Sequence, residues 1–313
     1  MVEIVLTSNQ ANRRFDRFLC DYLKLAPKSL IYKLLRKKRI KLNGKRAEGS
    51  EITAIGDQVI FYLASETLQG FMKEAKPKPK HVAEPPDIIH EDDNILLVNK
   101  PAGLLTHSDT ANSQDTLVDR LSYYLYDEDD DFRPSVCNRL DRNTSGLVVS
   151  GKNMASIQAL NSIFASRQVE KIYLAVVCGR LENAGVLKGY MIKDEKANQS
   201  YILPQQQEGA VFIHTEYSTL SATDNFSLIR VQIHTGKSHQ IRLHFSTLGH
   251  PLAGDIKYGG KRLENHRGQL LHCYSLKFSN LKSGYLSYLS NRQWKASLPK
   301  IYENFLQKEE LYY

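Results

Sequence analysis

Between residues 66 and 86 the chain reads ETLQGFMKEAKPKPKHVAEPP, and this stretch limits every fold the rest can adopt. Its four prolines, Pro77, Pro79, Pro85 and Pro86, fall within ten residues. Each lacks an N–H and fixes φ, so the segment cannot continue a helix or enter the middle of a sheet. Alternating Lys and Pro stiffen it into a polyproline-like spacer. The chain on either side must therefore bury its own apolar surface. The full 313 residues, 42% of them hydrophobic, are enough for a small domain and a large one. The expected organisation is a domain over 1–65, a linker over 66–86 and a second domain over 87–313.

In the first part, Phe15, Phe18, Leu19, Tyr22 and Leu23 recur at helical spacing, and Ile31, Leu34 and Leu35 form a second set after APKS. These spacings predict two short helices, the second starting at Lys28 or Ser29. Its polar face is expected to carry Lys33, Arg36, Lys37, Lys38 and Arg39. IKLNGKRA then reads as a strand, an Asn-Gly turn and a return strand bearing Lys45 and Arg46, and GDQVIFYL as a further strand. An isolated basic cluster is usually a solvated face.

Lys plus Arg outnumber Asp plus Glu by 42 to 34, a balance that suits a polyanionic partner. No apolar run approaches the roughly 20 residues of a membrane span, and MVEIVLTSNQANRRF has neither the apolar stretch nor the cleavage site of a signal peptide. A cytoplasmic protein without a membrane partner is expected. Cys20, Cys137, Cys178 and Cys273 are scattered with no C-x-x-C pair, so they suggest neither a disulfide framework nor a cysteine metal site.

Beyond the linker, ILLVNKPAGLLTH, SGLVVSG, KIYLAVVCGR and FSLIRVQIHTG read as strands, whereas TLVDRLSYYLY and MASIQALNSIFASR have helical spacing. Strands and helices mix without strict alternation, which predicts an α+β fold: a mixed, largely antiparallel sheet with flanking helices. DEDDDF reads as a solvated loop.

Three stretches compete for chemistry. His234, His239, His244 and His250 are spaced five and six apart, which neither stacks them on one helix face nor keeps them on one face of a strand, so no metal site is expected from them. NKPAGL has the Lys and Gly of a phosphate loop but lacks its second Gly and its Lys-Ser/Thr pair, and reads as a tight turn after a core strand. In SVCNRLDRNTSG a lone Asp141 stands between Arg139 and Arg142. Asp, Asn, Thr and Ser can all bond the local backbone, so a plain turn accounts for that stretch by itself.

Two resemblances extend these readings. RRFDRFLCDYL, SLIYKLLRKKRIKLNGKR and IGDQVIFYL, over about residues 13–63, resemble the S-four RNA-binding domain, which implies that Lys33, Arg36, Lys37, Lys38, Arg39, Lys45 and Arg46 grip structured RNA mainly through phosphates. VNKPAGLLTH, NRLDRNTSG, KIYLAVV, HTGKSHQIRLHFSTLGHPLAGDIKYGG and QLLHC, in that order over roughly 87–298, resemble the RluA-type pseudouridine synthase family. That resemblance implies isomerisation of uridine to pseudouridine in RNA without cofactor, with ribosomal RNA favoured and transfer RNA possible; a monomer without metal is expected.

Carried over residue by residue, the family's indispensable aspartate is Asp141, which can attack either the anomeric carbon of the ribose or the uracil ring. The arginine set against it is Arg242, Tyr173 packs on the base, Arg139 fills the gap left by the flipped nucleotide, and Leu271 forms an apolar wall. A carboxylate in a water-excluding site needs a nearby cation to stay ionised. Arg142 is expected to face phosphate or solvent. The family favours a helix over SHQIRLHFSTLG, with Ser238 as N-cap and Gly249 as stop. Asn138 stands where the family most often has His. Two other classes remain: a non-catalytic RNA-binding or ribosome-assembly protein of the same fold, and a metal-dependent hydrolase.

Overall fold

Separate hydrophobic clusters on the two sides of the Lys/Pro stretch, one before it and three after it, organise the computed structural model of the chain. The structure describes residues 1–72, 84–108, 115–126, 132–194, 199–264 and 266–313. Most of the Lys/Pro stretch, and all but Phe132 of DEDDDF, lie outside the described residues.

In the first part, strand β1 (Val2–Val5) is followed by helices α1 (Phe15–Tyr22) and α2 (Lys28–Arg36), then β2 (Ile40–Leu42), β3 (Lys45–Arg46), β4 (Gln58–Phe61) and helix α3 (Ser65–Phe71). The helical apolar sets do what their spacing dictates: Phe15, Phe18, Leu19, Leu23, Ile31 and Leu35 are sealed in one cluster with Ile40, Val59 and Phe61 of the sheet. Asp16 ties the helix pair together, accepting a bond from Tyr32 Oη of α2 at 2.6 Å. Its bond from Arg14, outweighing burial, holds that carboxyl down at about 2. The sheet runs β1-β4-β2-β3 and is antiparallel throughout. Asn43 and Gly44 both have positive φ, 50° and 72°, the conformation of a tight type I′ hairpin turn.

Two expectations change here. Helix α2 ends at Arg36, and Lys38 has a left-handed φ of 56°, so Lys37, Lys38 and Arg39 form an exposed basic turn after the helix rather than part of its polar face. The segment expected to begin the linker is helical as far as Phe71, because Leu68 finds a buried place in the first cluster.

In the second part, the chain continues as β5 (Ile88–Glu91), β6 (Ile95–Lys100), α4 (Leu117–Tyr124), β7 (Ser135–Val136), β8 (Ser145–Gly151), α5 (Met154–Ala165) and β9 (Val169–Cys178). There follow β10 (Ala184–Asp194), β11 (Gln199–Leu203), β12 (Val211–Ala222), β13 (Phe226–Ile233), α6 (Gln240–Thr247), β14 (Leu271–Phe278), β15 (Gln293–Lys295) and α7 (Lys300–Lys308). The sheet order is β11-β10-β12-β13-β9-β14-β8-β6-β5, with β15 beside β14 and β7 beside β8. This is the α+β, largely antiparallel architecture that the mixed pattern predicts. Asn153 caps α5 by accepting from Ser156 N, and Thr116 with Asp119 forms a capping box on α4. One face of the sheet packs against α5 and α6 through Leu160, Ile163, Ile241 and Phe245, and another cluster joins Leu174, Val176 and Leu228 to Tyr302 and Leu306 of α7.

Among the described strand ladders only β8–β14 is parallel, pairing Ser145 with His272 and Gly146 with Cys273. Gly146 has φ +111°, and a side chain there would collide with the Cys273 backbone. This close approach sets the loop before β8 beside Leu271, the first residue of β14, while Cys273 is paired across to Tyr173 on β9. Residues far apart in the sequence are thus drawn to one end of the sheet. No helix among the described residues is long and apolar enough to cross a membrane.

Candidate active site

Asp141 lies in the loop between β7 and β8, and that loop is stitched to the one after β6. Lys100, the last residue of β6, is fully buried and its ammonium donates to the carbonyls of Pro101 at 2.8 Å, Leu104 at 2.7 Å and Arg142 at 3.1 Å. Thr106 Oγ1 donates to the Leu140 carbonyl at 2.8 Å, and Gly103 N to that of Arg142 at 2.9 Å. NKPAGL is therefore a turn after a core strand, and its lysine fixes the neighbouring loop instead of meeting a phosphate. Burial pushes the Lys100 amine down to about 7, against the opposing pull of Asp141.

Asn138, in the place where the family most often has His, is held by the backbone of β8. Its Nδ2 donates to the Leu147 carbonyl at 3.0 Å and its Oδ1 accepts from Val149 N at 2.9 Å, so the side chain extends the pairing of β8. The arginines flanking Asp141 are both exposed, with Arg139 on the wall of a cavity and Arg142 outside it.

Helix α6 brings the opposing cation. Gln240 fixes its start, accepting from Thr235 Oγ1 at 2.8 Å and donating to Thr215 Oγ1 at 2.9 Å. The residue before the helix is His239, in a left-handed conformation with φ 60°, and no side chain caps the helix. Ser238 is thus not its cap: the chain enters α6 through the His239 turn, and Gln240 takes over the anchoring. Gly249, with φ 84°, follows the last turn as expected of a stop residue.

From the first turn of α6, Arg242 Nη1 donates to Asp141 Oδ2 at 3.1 Å. Its Nε and Nη2 are bonded to the two carboxylate oxygens of buried Asp255, at 2.6 and 2.8 Å. Burial works against the Arg242 charge, but the bonds from Asp255 and then Asp141 outweigh it and hold the guanidinium above its ordinary pKa. Tyr258 lies under that guanidinium, 5.0 Å from ring centre to carbon, and bonds His239 Nδ1 at 2.9 Å. This leaves His239 Nε2 at 3.7 Å from Asp141 Oδ2. Burial pushes the His239 imidazole below its usual value although Asp141 opposes the shift.

Asp141, Arg139, Tyr173, Arg242 and Leu271 all line one cavity of 540 Å³, within the range of small-ligand sites. Tyr173 is buried, and its burial, followed by the influence of Cys273, raises the phenol well above its normal range. It therefore stays protonated at neutral pH. Sequence reasoning gave Lys100, Asp255, His239 and Tyr258 no place at this site, although each lies in a quoted motif and two of them were weighed for other roles, Lys100 in a phosphate loop and His239 as a metal ligand. The signal available was a charged residue inside an apolar or glycine-rich run, as in NKPAGL and LAGDIKYGG. Of the four histidines weighed as ligands, His244 is buried against Thr215 and pushed down to about 4, and His250 bonds the Cys178 carbonyl. They do not converge with His239.

Lys33, Arg36, Lys37, Lys38, Arg39, Lys45 and Arg46 are all exposed on the first part of the chain, and none lines this cavity.

A fixed carboxylate facing a buried guanidinium, with an aromatic wall and an arginine at the mouth, suits an enzyme that handles one flat base drawn from a polymer. Residues 94–247 match the family model described as RNA pseudouridylate synthase. The chain is 30% identical to the ribosomal large subunit pseudouridine synthase C of Vibrio vulnificus, covering 89% of each chain. It is 33% identical to the protein of that name from Rickettsia bellii, over 83% of this chain and 87% of that one. The structure called human RNA pseudouridylate synthase domain containing 4 shares the fold, with a TM-score of 0.59 at 23% identity over 72% of this chain and 94% of that one. The chain belongs to the RNA pseudouridylate synthase family, and its activity is the isomerisation of uridine in RNA.

Proposed function

We propose that this protein converts a specific uridine, flipped out of structured RNA, to pseudouridine, with Asp141 as nucleophile and large-subunit ribosomal RNA as substrate. The observation that carries the reading is the 3.1 Å bond from Arg242 to Asp141 inside a cavity shared with Tyr173, Arg139 and Leu271. The substrate follows the names of the relatives, ribosomal large subunit synthases; transfer RNA is the other candidate.

The carboxylate attacks C1′ of the ribose or C6 of the uracil, and the N1–C1′ bond breaks. The base turns against Tyr173 and Leu271 and bonds C1′ through C5, and the bond from Asp141 breaks to return the carboxylate. The proton lost from C5 balances the one gained at N1, so no cofactor or metal enters the reaction. Arg242 fixes the direction of Asp141 by its 3.1 Å bond, and the bound RNA covers the cavity so that water does not intercept the intermediate. Arg139, planar and exposed at the mouth, stacks in the gap left by the nucleotide and recovers part of the few kcal/mol that flipping costs.

The first part of the chain serves as an S-four-like RNA anchor through Lys33, Arg36, Lys37, Lys38, Arg39, Lys45 and Arg46, raising the local concentration of substrate at the second. The enzyme works as a cytoplasmic monomer.

The test is to map pseudouridine across total RNA from cells with and without the protein, and with Asp141→Asn in its place. One ribosomal site should vanish in the deletion and in the variant, while the variant keeps its RNA affinity. A lost transfer RNA site would redirect the substrate. No lost site would favour a binding or ribosome-assembly role, and a site modified by the Asp141→Asn protein would remove Asp141 as nucleophile.

A further inference from the structure

One histidine of the four weighed in the sequence finds metal-ligating company on a neighbouring strand. His214 and Glu216 lie two apart on β12, so their side chains share a face of the sheet. His234 directly follows β13, and its N–H bonds the His214 carbonyl at 3.1 Å, which makes it the cross-strand neighbour of His214. A ring nitrogen of His214, a ring nitrogen of His234 and a carboxylate oxygen of Glu216 all lie within 4.8 Å of one another. The register of an antiparallel pair, not sequence spacing, brings the three together.

The separations match a ligand set. Glu216 Oε1 lies 3.0 Å from His234 Nε2 and 3.4 Å from His214 Nε2. In a tetrahedral site with metal–ligand bonds of about 2.0–2.1 Å, two donors stand about 3.3 Å apart. Both Nε2 atoms are shut off from solvent, and neither has a hydrogen-bond partner, their short approaches to Glu216 being outside hydrogen-bond geometry. A buried polar atom left without a partner is costly and points to a missing water or ion. The two imidazole rings stack at 4.2 Å with 20° between their planes. His234 also lines the cavity that holds Asp141.

We propose that His214, Glu216 and His234 bind a divalent ion of the zinc type at the mouth of the catalytic cavity, with a fourth position open to water or a phosphate oxygen. Two imidazole nitrogens and one carboxylate select zinc or a similar borderline ion over magnesium or calcium, which prefer oxygen ligands throughout. The ion takes no part in isomerisation, where Arg242 already serves Asp141. It offsets the charge of Glu216 and adds positive charge where an RNA backbone approaches. Lys188, paired with His214 across β10, is exposed and can turn its ammonium outward. Because nearly parallel rings cannot aim both lone pairs at one point, binding must open the His214–His234 stack.

The full chain, stripped of metal with a chelator, is titrated with Co²⁺ and followed by d–d absorption, with Zn²⁺ as competitor. One site per chain with tetrahedral-type absorption, displaced by one equivalent of Zn²⁺, is expected. His214→Ala, His234→Ala and Glu216→Gln should each weaken binding by about 100-fold or more, since even the outer partners of a metal site are worth 10–100-fold. His250→Ala should leave it intact. Circular dichroism confirms that each variant is folded, and Glu216→Gln, nearly isosteric and half-buried, keeps the test open if a histidine variant is not. Absence of a stoichiometric site in the wild-type chain, or a site unchanged in folded Glu216→Gln and His234→Ala, overturns the proposal.

Discussion

Asp255 holds Arg242 by two bonds, to Nε at 2.6 Å and to Nη2 at 2.8 Å, and leaves Nη1 to reach Asp141. A fork gripped on one edge cannot rotate, so the direction of the remaining N–H is set before any RNA arrives. Asp255 is buried and Asp141 is half-buried. The carboxylate that grips Arg242 is sealed, while the proposed nucleophile faces the cavity.

Removing Asp255 should therefore damage both stability and turnover. Asp255→Ala strands a buried guanidinium, which costs about 3 kcal/mol or more in unfolding free energy. Misaimed by about 1 Å, Arg242 should also slow turnover by about 10²-fold. Urea unfolding and single-turnover kinetics on the RNA substrate measure the two effects. Turnover equal to wild type in a folded Asp255→Ala protein would show that the fork does not orient the site.

How far the sequence reaches is visible in this pair. Arg242 and Asp141 are 101 residues apart, and only the resemblance to a family put them together. Helices α1, α2, α4 and α5, the Asn-Gly hairpin and the core strands were legible because each follows a local rule: apolar spacing, a two-residue turn, or an unbroken apolar run; α3 was read as linker, α7 was not singled out, and α6 came from the family resemblance. β1 and the strands β10, β11 and β12 were not singled out, since their mixed polar sequences lack a clean alternation. Ser238 failed as a cap because a left-handed His239 redirects the chain, a choice that no propensity encodes. The His214–Glu216–His234 group depends on strand register, which spacing along one strand cannot reveal.

Lys100 gives a pH signature. Its folded-state value of about 7 lies below the ordinary 10.5, so between these limits the unfolded chain holds a proton that the folded chain has released. Stability from this group then rises with pH across that window, by up to about 1.4 kcal/mol per unit, and is flat below it. Lys100→Met lacks this slope and leaves the carbonyls of Pro101 and Leu104 without their donor, at about 1–3 kcal/mol each, partly offset by removing a buried charge. Urea unfolding of both proteins from pH 6.5 to about 9.5 should show wild type gaining on the variant as pH rises. A constant difference would mean that Lys100 keeps its proton throughout.

Tyr173 separates an aromatic face from a hydroxyl. With its phenol held well above its ordinary value, it would meet the base, in the proposed reaction, as a neutral ring whose O–H could assist proton movement. Tyr173→Phe should keep RNA affinity and slow turnover by about 10²-fold, the lower end for a lost acid–base group. Tyr173→Ala should also weaken binding by about tenfold, the equivalent of one lost base–aromatic stack. Binding titrations and single-turnover rates on the same RNA distinguish them. If Phe binds as poorly as Ala, the hydroxyl, rather than the ring, is what holds the base.

The basic last turn of α2 and the basic turn that follows it should govern affinity without touching chemistry. Lys33, Arg36, Lys37, Lys38 and Arg39 are exposed, so replacing them with Gln should leave stability within about 0.5 kcal/mol of wild type. If they hold phosphates, the slope of log affinity against log salt should become shallower by about 0.7–0.9 for every phosphate no longer neutralised. The rate at saturating RNA should stay the same, because none of the five lines the cavity. Lys45→Gln with Arg46→Gln, on the adjoining hairpin, should reduce the slope further. Affinity measured from low to high salt is the readout: an unchanged slope in the five-residue variant would show that the RNA is gripped elsewhere, and a lower saturated rate would show that this surface also positions the target uridine.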